Sequence, residues 1–132
     1  KDTEQALRET QRSGWKGSGR CVAVLLETKE TTLVAVLSGE IDHHCARPMR
    51  VEIDEMIEQV QPTVLILDFG GVTFMDSSGI GLIMGRHRTM QEIGGEVIVQ
   101  NPPPHIRRVL RISGIERIAK IQMDAAGRGK EL

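Results

Sequence analysis

The chain has 132 residues, 39% of them hydrophobic and 27% charged, which is typical of one globular domain with its own core. Its 17 basic and 18 acidic side chains give a formal net charge of −1, which argues against nucleic-acid binding by bulk attraction. Only Trp15, Phe69 and Phe74 are aromatic, which argues against a base-stacking surface. No apolar stretch is long enough to span a membrane and no signal-peptide pattern is present, so the cytosol is the expected compartment.

Residues 1–19 differ in composition from the rest of the chain. Residues 1–12 are polar with weak helical character, and residues 13–19 are rich in glycine and serine, which is typical of a flexible linker. We predict a flexible tail, linker or fusion remnant over residues 1–19, with a docked helix or partner peptide as the alternative. A single folded domain is predicted over residues 20–132.

Two β-prone runs open this domain at residues 21–26 and 32–37, with a polar hairpin connection at residues 27–31. Ser38-Gly39 is expected to end the second strand. The helix that follows has apolar residues three to four positions apart, which predicts one buried stripe. The stripe consists of Ala46, Met49, Ile53, Met56 or Ile57, and Val60.

The start of this helix is ambiguous in the sequence. Asp42 is a candidate N-cap, because its short carboxylate can accept hydrogen bonds from the first backbone N–H groups. Pro48, however, has no N–H to donate inside a helix. We therefore predict that the regular helix begins near Arg47, with Pro48 in its first turn.

The unbroken apolar run at residues 64–68 predicts a central strand covered on both faces. A helix is expected from Ser77 to Ile93, a strand over residues 96–100 and a short helix that opens at Pro104. Residues 118–123 form a last short strand or helix of undecided type. The order β-β-α-β-α-β-α predicts an α/β fold, with helices packed on a small mixed sheet of about four to five strands.

The most informative segment lies where the central strand gives way to the next helix. Asp76-Ser77-Ser78-Gly79 places two hydroxyl groups at the helix N-terminus. There the unpaired N–H groups and the helix dipole favour negative charge. A serine in this position can carry a phosphate, bind an anion or simply cap the helix.

Three blocks of the chain resemble the STAS domain, and within that family the bacterial anti-sigma factor antagonists of the sporulation type. The blocks are residues 38–44, residues 74–81 followed by Gly85-Arg86, and residues 104–115. The resemblance covers roughly residues 21–122, and residues 1–19 have no counterpart in it. It implies a small sheet flanked by helices, with a phosphoserine at the start of a helix.

The resemblance also implies a function. In such proteins the second serine of Asp-Ser-Ser-Gly is phosphorylated, which is Ser78 in this sequence. The unphosphorylated antagonist binds a partner that is both anti-sigma factor and serine kinase, and so frees a sigma factor. Phosphorylation releases the partner, and a serine phosphatase resets the switch. No catalytic residue, cofactor, metal, direct nucleic-acid contact or membrane contact is expected.

The expected partner surface combines the start of the helix with the loop around Asp42. Gly79 and Gly81 are expected to leave the helix start bare, so that a partner backbone can approach. The alternative is that these glycines pack against the sheet of the domain itself. Asp42 is expected to contact the partner, and it can cap the first helix at the same time.

The residues around the predicted phosphorylation site have two interpretations each. Asp76 either caps the helix alone or also orients the Ser78 hydroxyl for a kinase. Ser77 is either a cap or a minor phosphate acceptor. Asp76, Ser77 and Ser78 all belong to the predicted partner-binding set.

Other functions fit the sequence less well. A hydrolase would need a histidine as base for Ser78, but Asp-Ser-Ser-Gly is not the Gly-x-Ser-x-Gly nucleophile elbow. The available histidines are His43, His44, His87 and His105. A metal site at residues 43–45 would lack a second cluster of ligands. Nucleotide binding is left open, and the main alternative is a STAS scaffold or sensor module of a larger signalling complex or a transporter tail.

Overall fold

The computed structural model describes residues 24–123, so the prediction for residues 1–19 lies outside the described part of the chain. Strands β1 (Val24–Lys29) and β2 (Thr32–Ile41) come first, followed by helix α1 (His43–Val60). Strand β3 (Val64–Met75) leads into helix α2 (Ser77–Glu92), and strand β4 (Glu96–Gln100) into helix α3 (Pro104–Ser113). A 3₁₀ turn (Ile115–Arg117) and a short strand β5 (Lys120–Gln122) complete the domain.

The five strands form one mixed sheet in the order β1-β2-β3-β4-β5. The β1–β2 pair is antiparallel, and the remaining neighbours are parallel. This arrangement confirms the α/β prediction and its order of elements, and it assigns the undecided tail at residues 118–123 to a short strand. None of the helices found in residues 24–123 is both long and apolar enough to cross a membrane.

One face of the sheet carries most of the core. Alternate side chains of β1 to β4 are fully buried there, and the parallel register stacks Leu33 beside Leu65 and Leu65 beside Val97. Helix α1 packs against β1, β2 and α2, whereas α2 packs against β3 and β4. The predicted stripe of α1 is buried at Met49, Ile53, Met56 and Ile57, and only half-buried at Ala46 and Val60.

The prediction that the central strand is covered on both faces is wrong. The alternate residues Val64, Ile66 and Asp68 of β3 are half-buried, whereas Leu65 and Leu67 are fully buried. Burial therefore follows the period of two that is typical of a strand with one fully packed face.

Strands β2 and β3 are longer than the sequence predicted. β2 continues through Ser38-Gly39 to Ile41, and β3 continues beyond Asp68 to Met75. Two register irregularities in the pairing of β2 with β3, between Val36 and Ser38 and between Gly39 and Glu40, each leave one extra residue on β3, and the parallel pairing continues past them. Ser38-Gly39, which we interpreted as the end of β2, is instead paired with Gly71 and Val72 of β3. The hairpin turn is correspondingly shorter, because β1 extends to Lys29.

The predicted start of α1 near Arg47 is also wrong. The helix begins at His43 with Asp42 as its N-cap, and Pro48 lies within it. The cap satisfies two of the N–H groups that a helix start leaves unpaired, and the buried stripe anchors the helix to the sheet. Together these contributions outweigh the hydrogen bond that Pro48 cannot donate.

Candidate functional site

The site is built where two parallel strands end at the same edge of the sheet. Ile41 at the end of β2 pairs with Met75 at the end of β3, and the next residues are Asp42 and Asp76. The backbone N–H of Asp76 donates to the carbonyl of Ile41 over 3.3 Å. Helices α1 and α2 therefore begin next to each other, and their positive N-terminal ends lie at one edge.

Asp42 caps α1 with one carboxylate oxygen. Its Oδ1 accepts hydrogen bonds from the backbone N–H groups of His44 and Cys45, each over 3.0 Å. The hydrogen bond from Cys45 is the main reason why the pKa of Asp42 lies below its usual value. Asp42, which the sequence offered as a candidate N-cap, therefore caps the helix.

Asp76 caps α2 in the same way. Its Oδ1 accepts from the backbone N–H of Ser78 over 2.8 Å. The capping interpretation of Asp76 is therefore confirmed. Its second role, orienting the Ser78 hydroxyl for a kinase, stays a prediction.

The two serines differ in their surroundings. Ser77, the first residue of α2, is exposed, and Ser78 is half-buried. Ser78 lies on the wall of an open cleft of about 300 Å³ between α1 and α2. The other residues that line the cleft are His43, Ala46, Arg47, Arg50, Gly81 and Leu82.

Gly79 and Gly81 have opposite environments, although the sequence suggested one role for both. Gly79 is buried, and a Cβ atom there would collide with the Cγ and Sδ atoms of Met75. This close approach supports the alternative that Gly79 packs within the domain itself, and its contact with a partner stays a prediction. Gly81 is exposed, and a Cβ atom there would meet nothing within 4 Å.

Sequence reasoning missed the two arginines of the cleft. Arg47 and Arg50 lie three positions apart on α1, so their side chains project from the same side of the helix. Both residues are exposed at the surface and reach the cleft wall opposite Ser78. The spacing was visible in the sequence, but nothing local indicated that this side of α1 faces the serine.

Two exposed apolar side chains beside the site were also missed. Phe74 is 48% exposed at the end of β3, and Met84 is 51% exposed on α2. Ser77, Gly81 and Met84 follow one another at helical spacing on the solvent side of α2. This spacing is the signal that could have identified the outward face of the helix.

A buried ion pair joins the two helices that form the cleft. The Nε atom of Arg86 on α2 lies 2.9 Å from Oδ1 of Asp54 on α1. Only 5% of the Arg86 side chain is exposed, compared with 38% for Asp54. Arg86 lies in the buried stripe of α2 together with Leu82, Ile83 and Met90. Because arginine is almost never fully buried unless it is paired, an arginine in this stripe indicates a buried ion pair.

The histidines are placed as surface or helix-start residues, with His87 half-buried. The rings of His43 and His44 contact each other at the start of α1, with centroids 5.1 Å apart. His105 is exposed, and its Nε2 lies 3.0 Å from the carbonyl oxygen of Thr73. Across the described part of the chain, no group of three potential ligands is close enough to hold a metal ion.

Comparisons with known proteins agree with this architecture. The family model of the STAS domain matches residues 23–126. An anti-sigma F factor antagonist of Lysinibacillus sphaericus is 41% identical over 88 residues, which are 67% of this chain and 74% of that protein. An anti-sigma F factor antagonist of Paenibacillus polymyxa is 38% identical over 96 residues, which are 73% of this chain and 82% of that protein.

Solved structures show the same likeness. The anti-sigma factor antagonist SpoIIAA in its unphosphorylated form matches with a TM-score of 0.68 at 36% identity, over 80% of this chain and 93% of that one. The Bacillus cell fate determinant SpoIIAA in the phosphorylated form matches with a TM-score of 0.63 at 36% identity, over 80% of this chain and 96% of that one. With a family model that spans the whole described domain, and with relatives this similar, the chain belongs to the STAS domain family.

Proposed function

We propose that this chain is an anti-sigma factor antagonist whose binding is switched off by phosphorylation of Ser78. Its unphosphorylated form binds an anti-sigma factor that is also a serine kinase, and thereby releases a sigma factor. Two relatives at 41% and 38% identity are anti-sigma F factor antagonists, and a similar protein has been solved in both phosphorylated and unphosphorylated forms. These likenesses support a phosphorylation switch in this chain.

The observation that carries the proposal is the position of Ser78. It is the second residue of α2, it is half-buried rather than enclosed, and it lines an open cleft. A kinase can reach a hydroxyl in such a position. A phosphate attached there is stabilised by the helix dipole, so modification does not require the domain to refold.

The proposed partner surface surrounds this serine. It includes Asp42 and Asp76, which follow paired strand ends, and the exposed residues Ser77 and Gly81. Gly79 contributes indirectly, because its lack of a side chain lets the start of α2 pack closely on Met75. The exposed side chains of Phe74 and Met84 add apolar contact area beside the switch.

The size of the electrostatic effect is sufficient for a switch. Moving a partner from 99% bound to 1% bound requires about 5.5 kcal/mol. A phosphoserine carries a charge of about −1.5 to −2 at pH 7. Burying such a group in an interface without a counter-charge from the partner costs several kcal/mol. One phosphate at Ser78 is therefore enough to release a partner that packs over it.

In this proposal the domain itself is not an enzyme and acts in the cytoplasm, where sigma factors bind RNA polymerase. A serine phosphatase returns the domain to its binding form. The kinase activity belongs to the partner, and Ser78 supplies the phosphate acceptor.

The assignment is tested by incubating the domain with its cognate anti-sigma factor kinase and ATP and mapping the phosphate by mass spectrometry. We expect the label on Ser78, its loss in Ser78→Ala, and its retention in the matched control Ser77→Ala. Label on Ser77 alone, or undiminished labelling of Ser78→Ala, contradicts the proposal.

A further inference from the structure

We propose that the cleft between α1 and α2 holds the phosphate of phosphorylated Ser78 within the same chain, with Arg47 and Arg50 as its counter-charges. The inference rests on the proposed function only in taking Ser78 as the modified residue. It assigns a binding role to two arginines on a different helix from the serine.

The geometry of the cleft suits this role. Ser78 lies on one wall, on α2, whereas Arg47 and Arg50 lie on the other wall, on α1. The cleft volume is about 300 Å³, and one water molecule occupies about 30 Å³ of liquid, so a phosphoryl group fits with room for the arginine side chains. The covalent link to Ser78 keeps the phosphate at this wall, which removes most of the entropy cost of binding it.

The charge of the cleft is positive and not neutralised from within. No ion pair joins Arg47 or Arg50 to a carboxylate among residues 24–123. The nearby carboxylate of Asp54 is held by Arg86 at 2.9 Å, although Asp54 and Arg50 also interact through their charges. His43 also lies on the cleft wall.

The carboxylates closest in sequence to the site are already engaged. Asp42 and Asp76 accept backbone N–H groups as the N-caps of α1 and α2. Their carboxylates are therefore turned toward the helix ends, and no ion pair joins either of them to Arg47 or Arg50 among residues 24–123. The adjacent N-termini of both helices add further positive potential at the same edge.

The chemistry of guanidinium groups favours a phosphate in this position. Arginine offers several N–H donors in a planar fork that matches phosphate oxygens, and such charge-assisted hydrogen bonds are the strong ones in proteins. The two positive charges offset part of a phosphate charge of about −2. Phosphorylation thus adds a negative group and also removes a positive patch from the surface that a partner would meet.

The test installs phosphoserine at position 78 during protein synthesis by an expanded genetic code, so that no kinase or partner is needed. The phosphate is then titrated by ³¹P NMR. The second pKa of an unconstrained phosphoserine is about 6. In the folded domain we expect an apparent value lower by about half a unit or more, because the arginines favour the dianion.

Replacing both arginines by glutamine, Arg47→Gln with Arg50→Gln, is expected to raise this apparent pKa toward the unconstrained value. Arg88→Gln, an exposed arginine elsewhere on α2, is the matched control and is expected to change nothing. The single variants report the same trend if the double variant folds poorly by circular dichroism.

An apparent pKa that is equal in the parent chain and in the arginine variants overturns the inference. An equal shift from Arg88→Gln also overturns it, because the effect would then come from net charge alone. Failure of a kinase to label Ser78 would contradict the proposed function but leave this titration result unchanged. The two proposals can therefore fail separately.

Discussion

Gly79 and Gly81 lie two residues apart at the start of α2, and only one of them has a neighbour where its side chain would be. The space beside Gly79 is filled by Met75, which is itself buried at the end of β3. The space beside Gly81 is open solvent. The sequence predicted that both positions need a small residue, but it could not distinguish a requirement of the domain from a requirement of its partner.

This difference predicts opposite effects of alanine on stability. Gly79→Ala is expected to lower the free energy of unfolding by about 1–3 kcal/mol, because Met75 must move in a packed core. Gly81→Ala is expected to raise it by about 0.5–1 kcal/mol, since alanine favours the helix and has room for its methyl group. Urea unfolding followed by circular dichroism measures both changes.

A substitution at Gly81 also separates effects on folding from effects on partner binding. We expect Gly81→Ala to weaken binding to the anti-sigma factor although it stabilises the domain. Gly85→Ala is the matched control, because it also has open space around it but lies one turn further from Ser78. Equal binding by the Gly81→Ala and Gly85→Ala variants would show that Gly81 does not contact the partner.

At the scale of elements, the position of α1 against α2 determines the site. The ion pair between Asp54 and Arg86 connects these two helices below the cleft. Burial raises the pKa of Asp54 above its ordinary value, in opposition to the favourable charge of Arg86. Burial likewise lowers the pKa of Arg86. In both residues desolvation is the largest influence, so each charge depends on the other to remain buried.

Breaking this pair is expected to be costly. Asp54→Leu leaves the Arg86 guanidinium buried without its carboxylate, and we expect a loss of roughly 3 kcal/mol in the free energy of unfolding, at the low end for buried pairs because Asp54 is partly solvated. Adding Arg86→Met should restore much of this loss. A double variant no more stable than Asp54→Leu alone in urea unfolding would contradict this account.

The raised pKa of Asp54 determines how this residue affects the free energy of unfolding in acid. Its pKa in the folded state lies above the unfolded value of 3.8, so as the pH falls the folded state takes up the proton before the unfolded state does. Protonation of this group therefore does not contribute to acid unfolding. Asp42 has the opposite effect, because the hydrogen bond from the Cys45 N–H lowers its pKa in the folded state. Its contribution to the free energy of unfolding is therefore lost as the pH falls through that folded-state pKa.

The lengths of β2 and β3 are also decided at the scale of elements, by the pairing between these two strands. Ser38-Gly39 and Gly70-Gly71 carry the local signals of strand ends, and the pairing of Ser38 with Gly71 overrides them. Helix α2, in contrast, matched its predicted start at Ser77 and ended within a residue of its predicted end. A helix is specified by caps and spacing within its own segment, whereas a strand is extended by its neighbour.

At the scale of the whole molecule, the proposal predicts that a permanent negative charge at position 78 changes association but not folding. Ser78→Asp is expected to weaken binding to the anti-sigma factor at least tenfold, about 1.4 kcal/mol, and to leave the Tm nearly unchanged. The helix start and the arginines of the cleft accommodate the carboxylate. Calorimetric titration and a thermal melt provide the two measurements.

Ser78→Asn is the matched control for this substitution, because it adds a side chain of similar size without the charge. A domain that unfolds with Ser78→Asp but not with Ser78→Asn would show that the site does not tolerate an anion. Equal weakening of binding by both variants would assign the effect to size rather than to charge.

The sequence by itself determined the order of elements, the mixed α/β fold, the cap at Asp76 and the position of Ser78 at the start of a helix, whereas it offered Asp42 only as a candidate cap. These features depend on hydrophobic spacing and capping within short segments, so they can be inferred without knowing what each segment contacts. Only the tertiary structure brought Arg47 and Arg50 to the cleft beside Ser78, paired Arg86 with Asp54 and separated the roles of Gly79 and Gly81. The physical reason is that the register of β2 with β3 sets where α1 lies against α2, and that register is a property of the assembled sheet.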